Sequence, residues 1–239
     1  AGDLSAGVFD LNGQMLAQAI TGTPGHVNAM AVSVNHFLKN TPIDKMHEGD
    51  VFVTNDPWQG TGHLFDFTMV TPAFKNNKVV ALLASTVHVV DIGGRGFGPD
   101  AGQIFEEGLC IPILPLFKKG KPSNTILSIV RANVREPEQV IGDLYSLATG
   151  NSVGCRRVVE MMQEFGLSNL KYVSKKIIDR SNQAMIDEIS NLPPGSWENT
   201  MKVDGYDEPI LLKANLKILK NKIVVDFNGS SSVSHFGIN

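Results

Sequence analysis

A chain of 239 residues, 42% hydrophobic and 19% charged, has the balance of an ordinary globular protein and enough length to bury a core. Its net charge of -3 offers no sequence-independent attraction to phosphate backbones, and no Lys or Arg run interleaves with aromatics, so nucleic acid is not an expected partner. The longest strongly apolar run, Val79 to Val90, is broken by Ser85, Thr86 and His88 and, at about a dozen residues, is too short to span a bilayer.

Cys110 and Cys155 lie far apart without C-x-x-C spacing, which suits a reducing, cytoplasmic setting; each reads as a small buried residue, not a nucleophile. The opening Ala1-Gly2-Asp3-Leu4-Ser5 carries neither an initiator Met nor a signal peptide, so the chain is expected to begin inside a longer protein.

In chain order, Val8 to Gln18 reads as strand, turn, strand, with turn residues between two apolar stretches. From His26 to Leu38 the residues Val27, Met30, Ala31, Val34, Phe37 and Leu38 recur with the period of a helix that buries one face. His26 itself follows Pro24-Gly25 and is explained by helix initiation. Val51-Phe52-Val53 is a short buried strand leading into the turn signal Asn55-Asp56-Pro57-Trp58. Phe67 to Phe74 and Val79 to Val87, separated by Lys75-Asn76-Asn77-Lys78, form an antiparallel hairpin.

Gly94-x-Gly96-x-Gly98 lacks the strand-loop-helix fingerprint of a phosphate loop and reads as a flexible lid. Ile126 to Val134, Glu138 to Ala148, Val153 to Phe165 and Tyr172 to Leu192 read as helices, the last stopped by Pro193-Pro194-Gly195. Ile210 to Leu219 and Ile223 to Phe227 return to strands. The expected fold is mixed α and β, with antiparallel hairpins and a helical block. Its three stretches are a mainly β metal-site region (1–125), the helices (126–192) and a C-terminal β region (193–239).

One tetrad occurs twice: His63-Leu64-Phe65-Asp66 and His88-Val89-Val90-Asp91. With the hairpin turn centred at Asn76 and Asn77, Asp66 falls almost opposite His88 and His63 near Asp91, so four polar side chains gather at the hairpin mouth. Opposed Cβ atoms lie about 4.5–5.5 Å apart, close enough for one ion to touch both side chains. Positions i and i+3 of a strand face opposite ways, so His63 and Asp66 can share an ion only across a bend, which Gly60-Thr61-Gly62 supplies. Two imidazoles and a carboxylate leave open coordination positions, as in catalytic Zn, Mn or Fe sites. Strand-end hydrogen bonding and turn capping are the competing explanation of the same residues. Glu106-Glu107 is a candidate source of a general base, against the plain reading of solvated acids.

At these motifs the sequence resembles the hydantoinase B family, which includes the B components of N-methylhydantoinases, the corresponding half of 5-oxoprolinases and a large subunit of acetone carboxylases. The resemblance runs through Asp3-Leu4-Ser5, Asn55-Asp56-Pro57-Trp58, the two tetrads with Gly93-Gly94, Phe105-Glu106-Glu107-Gly108, Arg131-Ala132-Asn133-Val134-Arg135 and Asp226-Phe227-Asn228-Gly229. It implies a divalent ion on His63, Asp66 and His88, with Asp3 contributing in some relatives. It also implies a hydantoinase A-like actin-fold ATPase partner that uses ATP to activate a small cyclic amide. Asp91 is then expected to orient a ligand imidazole or to act as base, with Glu106 a second catalytic candidate. The rival expectations are an acetone carboxylase-type subunit, a catalytically silent scaffold subunit, and a non-haem iron oxygenase. Gly60-Thr61-Gly62-His63 replaces the common Gly-Gly-Thr-His order, and Val89 stands where a second His is frequent, changes that bear on substrate and leave every mapped ligand in place.

Overall fold

A computed structural model describes residues 3–20 and 22–237. The chain divides into two compact units, with the boundary between Ser174 and Lys175.

The first unit is built on a seven-stranded antiparallel sheet of β1 (Leu4–Phe9), β2 (Met15–Gln18), β3 (Val51–Thr54), β4 (Asp66–Lys75), β5 (Lys78–His88), β6 (Leu114–Lys118) and β7 (Lys121–Pro122), in the order β2-β1-β5-β4-β3-β6-β7. At its centre is the expected hairpin. Asn76 and Asn77 both take positive φ, at 51° and 60°, as the tight turn of a two-residue hairpin requires. Lys75 pairs with Lys78, and one irregularity between Ala73 and Phe74 then brings Asp66 into direct register with His88.

Strand alternation sorts the core into two faces. Phe52, Val70, Leu82 and Ala84 point to one side and pack with Met30, Val34 and Phe37 of α1 (Pro24–Asn40). Val51, Val53, Phe67 and Met69 point to the other and meet Val140, Ile141 and Leu144 of α4 (Pro137–Glu164), with Ile126 and Val130 of α3 (Asn124–Asn133). A one-turn α2 (Ile104–Glu107) lies in the connection before β6. The helices α3 and α4 therefore belong to the same core as the strands.

The two helices expected over Glu138–Ala148 and Val153–Phe165 are one helix of 28 residues. Thr149-Gly150-Asn151-Ser152 does not break it, because its polar groups are used within the packed structure. Asn151 is buried and donates to Thr71 Oγ1 of β4 at 3.2 Å, and Ser152 donates back to the Ala148 carbonyl at 2.9 Å. Gly154 lets the helix approach closely, since a Cβ there would lie 3.0 Å from Leu83 Cδ1.

The second unit holds most of α5 (Lys171–Asn191) and a three-stranded sheet, β10-β9-β8, from β8 (Gly195–Val203), β9 (Ile210–Leu219) and β10 (Lys222–Asp226). The sequence pattern did not reveal β8. Among the described residues, no helix is long and apolar enough to cross a membrane.

Candidate metal centre

Three adjacent strand ends and one helix start converge on the α1 side of the sheet. Asp66 opens β4 and His88 closes β5 directly opposite it, so their side chains share a face. Asp3 precedes β1, whose register sets Leu4 against Val87, and its carbonyl accepts from the His88 backbone N–H at 3.1 Å. His63 comes from the loop before β4. There Gly62 takes φ 111° and the Asp66 N–H donates to the His63 carbonyl at 3.2 Å, folding the i,i+3 pair onto one side. The bend expected at Gly60-Thr61-Gly62 is present.

Asp66 is the hub. Its side chain is fully buried, with His88 Nδ1 at 2.8 Å from Oδ1 and His63 Nδ1 at 3.4 Å from Oδ2. Thr61 Oγ1 donates to Oδ2 at 3.1 Å. One donor atom from each of His63, Asp66 and His88 lies within 4.8 Å of the others. Ligand atoms sharing one ion at bonds of about 2.0–2.1 Å sit about 2.9–3.3 Å apart, so these residues need little movement to close on a cation. The chemistry agrees: a carboxylate removed from water needs positive charge beside it, and borderline-soft imidazole with hard carboxylate suits Zn, Mn or Fe.

The hydrogen bond to Asp66, followed by the charges of Asp66 and Asp3, raises the His88 pKa above its ordinary value against the opposing effect of burial. Phe65 stacks on the His88 ring with centroids 5.2 Å apart, and the Phe97 ring lies perpendicular to those of His63 and His88, with centroids 6.0 and 5.1 Å apart.

The structure does not bring Asp91 to this group, contrary to the expectation that it lies beside His63. Its Oδ1 accepts from Arg135 Nη1 at 2.5 Å, and its Oδ2 from the backbone N–H groups of Gly93, at 3.2 Å, and Arg135. Burial pushes its pKa up, but the Arg135 and Gly93 hydrogen bonds outweigh this and hold it below the ordinary carboxylate value. Asp91 is thus occupied in fixing the Gly93-Gly94 turn to the residues after α3. Glu106 is likewise engaged elsewhere, with Oε2 3.0 Å from Arg95 Nε.

The glycine loop is anchored at its start, whereas Gly96 further along has open space around it. A Cβ on Gly93 would lie 2.3 Å from the Asn133 carbonyl oxygen and one on Gly94 2.4 Å from Glu107 backbone, so both glycines are packed in place. Cys110 is exposed where a buried position was expected, and burial pushes the Cys155 thiol up to about 12, which makes it inert near neutrality.

Sequence reasoning missed His26, Thr61, Phe97 and Arg135. His26 is buried, with Nε2 3.4 Å from Asp66 Oδ2 and Nδ1 3.6 Å from Asp3 Oδ1. Asp3 Oδ1 also accepts from Thr23 Oγ1 at 2.6 Å. Arg135 lies within a recognisable motif, but nothing in its spacing indicates Asp91 as its partner.

The family model for hydantoinase B/oxoprolinase matches residues 1–239. The B component of a putative D-/L-hydantoinase from a Pseudomonas species is 25% identical over 243 residues, covering 96% of this chain and 41% of its own length. The crystal structure of ATP-dependent caprolactamase from Pseudomonas jessenii superposes with a TM-score of 0.84 at 26% identity, covering 93% of this chain and 39% of that one. The nucleotide-free structure of an acetone carboxylase shares the fold, with a TM-score of 0.87 at 19% identity over 98% of this chain and 34% of that one. The chain thus spans between about a third and two fifths of the length of these proteins.

Proposed function

The chain belongs to the hydantoinase B/oxoprolinase family, and from that membership we propose that it is part of an ATP-dependent cyclic-amide hydrolase and holds a divalent ion on His63, Asp66 and His88. The observation that carries the reading is the convergence of these three donors on one buried carboxylate. The substrate would be a hydantoin, 5-oxoproline or a related lactam. An actin-fold ATPase partner would activate the carbonyl with ATP.

The chemistry that an ion would supply is that of a Lewis acid, which makes water acidic near neutral pH and polarises a carbonyl. The chain's own residues do the rest. Asp66 supplies negative charge to the centre, and Thr61, donating to Oδ2, fixes the carboxylate plane. The 2.8 Å contact with Asp66 Oδ1 sets the orientation of the His88 ring. His63 is the more exposed imidazole, so substrate would approach past it and the exposed ring of Phe97. Asp3 is held by Thr23 at the edge of the group, within reach of His26.

The likeness to a named hydantoinase component and to caprolactamase favours amide hydrolysis over carboxylation, because the acetone carboxylase likeness extends to the fold alone. The test is ring opening by the full-length protein assembled with its ATPase partner. Turnover should require both ATP and a divalent ion and should vanish in Asp66→Asn. Folded protein that takes up no ion would remove the reading, and product formed by carboxylation of a ketone would replace it with its rival.

A further inference from the structure

Thr68 and Thr86 pair directly across β4 and β5, further into the hairpin than Asp66 and His88 and on the same face of the sheet. Both are fully buried, so water cannot serve their hydroxyls. Thr68 Oγ1 lies 3.2 Å from Thr86 Oγ1, and Thr86 Oγ1 lies 3.2 Å from Thr61 Oγ1 in the loop that carries His63. Thr61 Oγ1 in turn donates to Asp66 Oδ2 at 3.1 Å. Each contact is longer than the usual hydroxyl bond of about 2.7–2.8 Å, yet together they join three hydroxyls to one buried carboxylate.

A proton count gives this row a direction. A threonine hydroxyl has a single proton, and an ionised carboxylate can only accept. The proton of Thr61 goes to Asp66, so Thr61 must accept from Thr86; the proton of Thr86 goes to Thr61, so Thr86 must accept from Thr68. The three O–H dipoles therefore run the same way and end on Asp66 Oδ2. Hydrogen bonds aligned in a chain polarise one another, and away from water they act more strongly. Thr61 is also separated from His63 only by Gly62, at φ 111°, so its contact with Thr86 ties the His63 loop to the sheet.

We propose that Thr86 is a positioning residue of the metal centre: donating to Thr61 and accepting from Thr68, it completes a one-way row of hydroxyls that fixes the Asp66 carboxylate and the His63 loop in the arrangement that receives the ion. It acts through Thr61 and touches neither the ion nor the substrate. This inference rests on the metal-centre reading above and deepens it.

Zinc affinity of the full-length protein, measured by competition with a chelating dye, tests the row without any assay of activity. Thr86→Val removes the hydroxyl with little change of shape and should weaken zinc binding roughly ten- to a hundredfold, as for other groups that orient metal ligands. Thr86→Ser, which keeps the hydroxyl and loses only the methyl, should recover most of that affinity. Thr61→Val cuts the same row, so the Thr61→Val/Thr86→Val double variant should bind zinc no more weakly than the weaker of the two single variants. Unchanged affinity in Thr86→Val, equal weakness in Thr86→Ser, or losses that multiply in the double variant would overturn the inference. If Thr86→Val fails to fold, Thr68→Val decides, because it can reach Asp66 only through Thr86 and Thr61: a several-fold loss recovered in Thr68→Ser is expected, and no loss overturns the row. Folded wild-type protein that binds no zinc, manganese or iron removes the metal centre itself, whereas zinc held equally by wild type and all the threonine variants removes only the role of the hydroxyls.

Discussion

Asp91 and Arg135, 44 residues apart in sequence, are joined side chain to side chain at 2.5 Å, and this pair separates the two H-x-x-D tetrads into different jobs. Asp66 occupies the fourth place of the first tetrad and turns into the cluster of imidazoles. Asp91 occupies the same place in the second and turns away to hold the turn at Gly93. We therefore expect Asp66→Asn to cost at least about a hundredfold in metal affinity, whereas Asp91→Asn keeps the ion. The loss in Asp91→Asn should appear as stability, about 1–3 kcal/mol, because a buried charged acceptor gives up its hydrogen bonds. Metal content and denaturant unfolding of both variants check this, and an empty site in Asp91→Asn would reverse the assignment.

The same pair makes an acid-stability prediction. The folded-state pKa of Asp91 lies below its ordinary value, so its contribution is complete above the ordinary carboxylate range, near pH 4, and is lost as pH falls through the depressed folded value. The stability gap between wild type and Asp91→Asn should be constant from pH 7 to about pH 5 and shrink below about pH 4. Chemical unfolding at a series of pH values measures it. A gap that instead widens on acidification contradicts the direction of the shift.

His88→Ala should empty the metal centre without unfolding the chain. Its ring is partly exposed at the end of β5 and stacks on Phe65 without filling the core. In chelator the melting temperature should change by no more than a few degrees, as for substitutions that leave no cavity. Elemental analysis should find the variant free of metal, and loss of the folded circular-dichroism signal would show that the residue is structural.

Phe97 is 72% exposed although its ring packs perpendicular to those of both His63 and His88. So large an exposed apolar ring contributes little to folding but lies where a substrate would pass. Phe97→Ala should raise KM several-fold with a smaller effect on kcat and a stability change within about 0.5 kcal/mol. Steady-state kinetics in the assembled complex would test the split; a pure kcat loss would point to ring orientation instead.

Local pattern carried much of this structure. The Asn76-Asn77 turn and its flanking β-branched runs were enough to place Asp66 against His88, and the α1 periodicity identified Met30, Val34 and Phe37 as core. In β8, Trp197, Met201 and Val203 alternate with Glu198, Thr200 and Lys202, but polar Asn199 interrupts the apolar row and weakens the signal. The continuity of α4 depends on contacts to residues 80 positions away, such as Asn151 with Thr71, which spacing does not reveal. His26 was missed for the same reason: its place beside Asp66 depends on how α1 packs on the sheet. Asp91 was misplaced because a repeated motif suggests a repeated role, while its partner Arg135 lies beyond the helix α3.

Asn55 provides the last prediction, because the loop carrying His63 depends on it. The residue is fully buried, and its side-chain amide is satisfied on both sides. Nδ2 donates to the Leu64 carbonyl at 2.7 Å and to the Leu109 carbonyl at 2.8 Å, while Oδ1 accepts from the Ile111 N–H at 2.6 Å. One side chain thus ties the His63-Leu64 segment to the connection that leads into β6. Asn55→Ala would leave these backbone groups buried without partners, at about 1–3 kcal/mol for each that water cannot reach. A total loss of about 3–4 kcal/mol is expected, with weaker metal binding because His63 loses its fixed position. Asn55→Asp should be at least as damaging despite its equal size, since a carboxylate would face two carbonyl oxygens and has no proton to donate near neutrality. Denaturant unfolding and zinc titration of both variants test the argument. Near-native stability in Asn55→Asp would mean that the amide does not hold the two segments together.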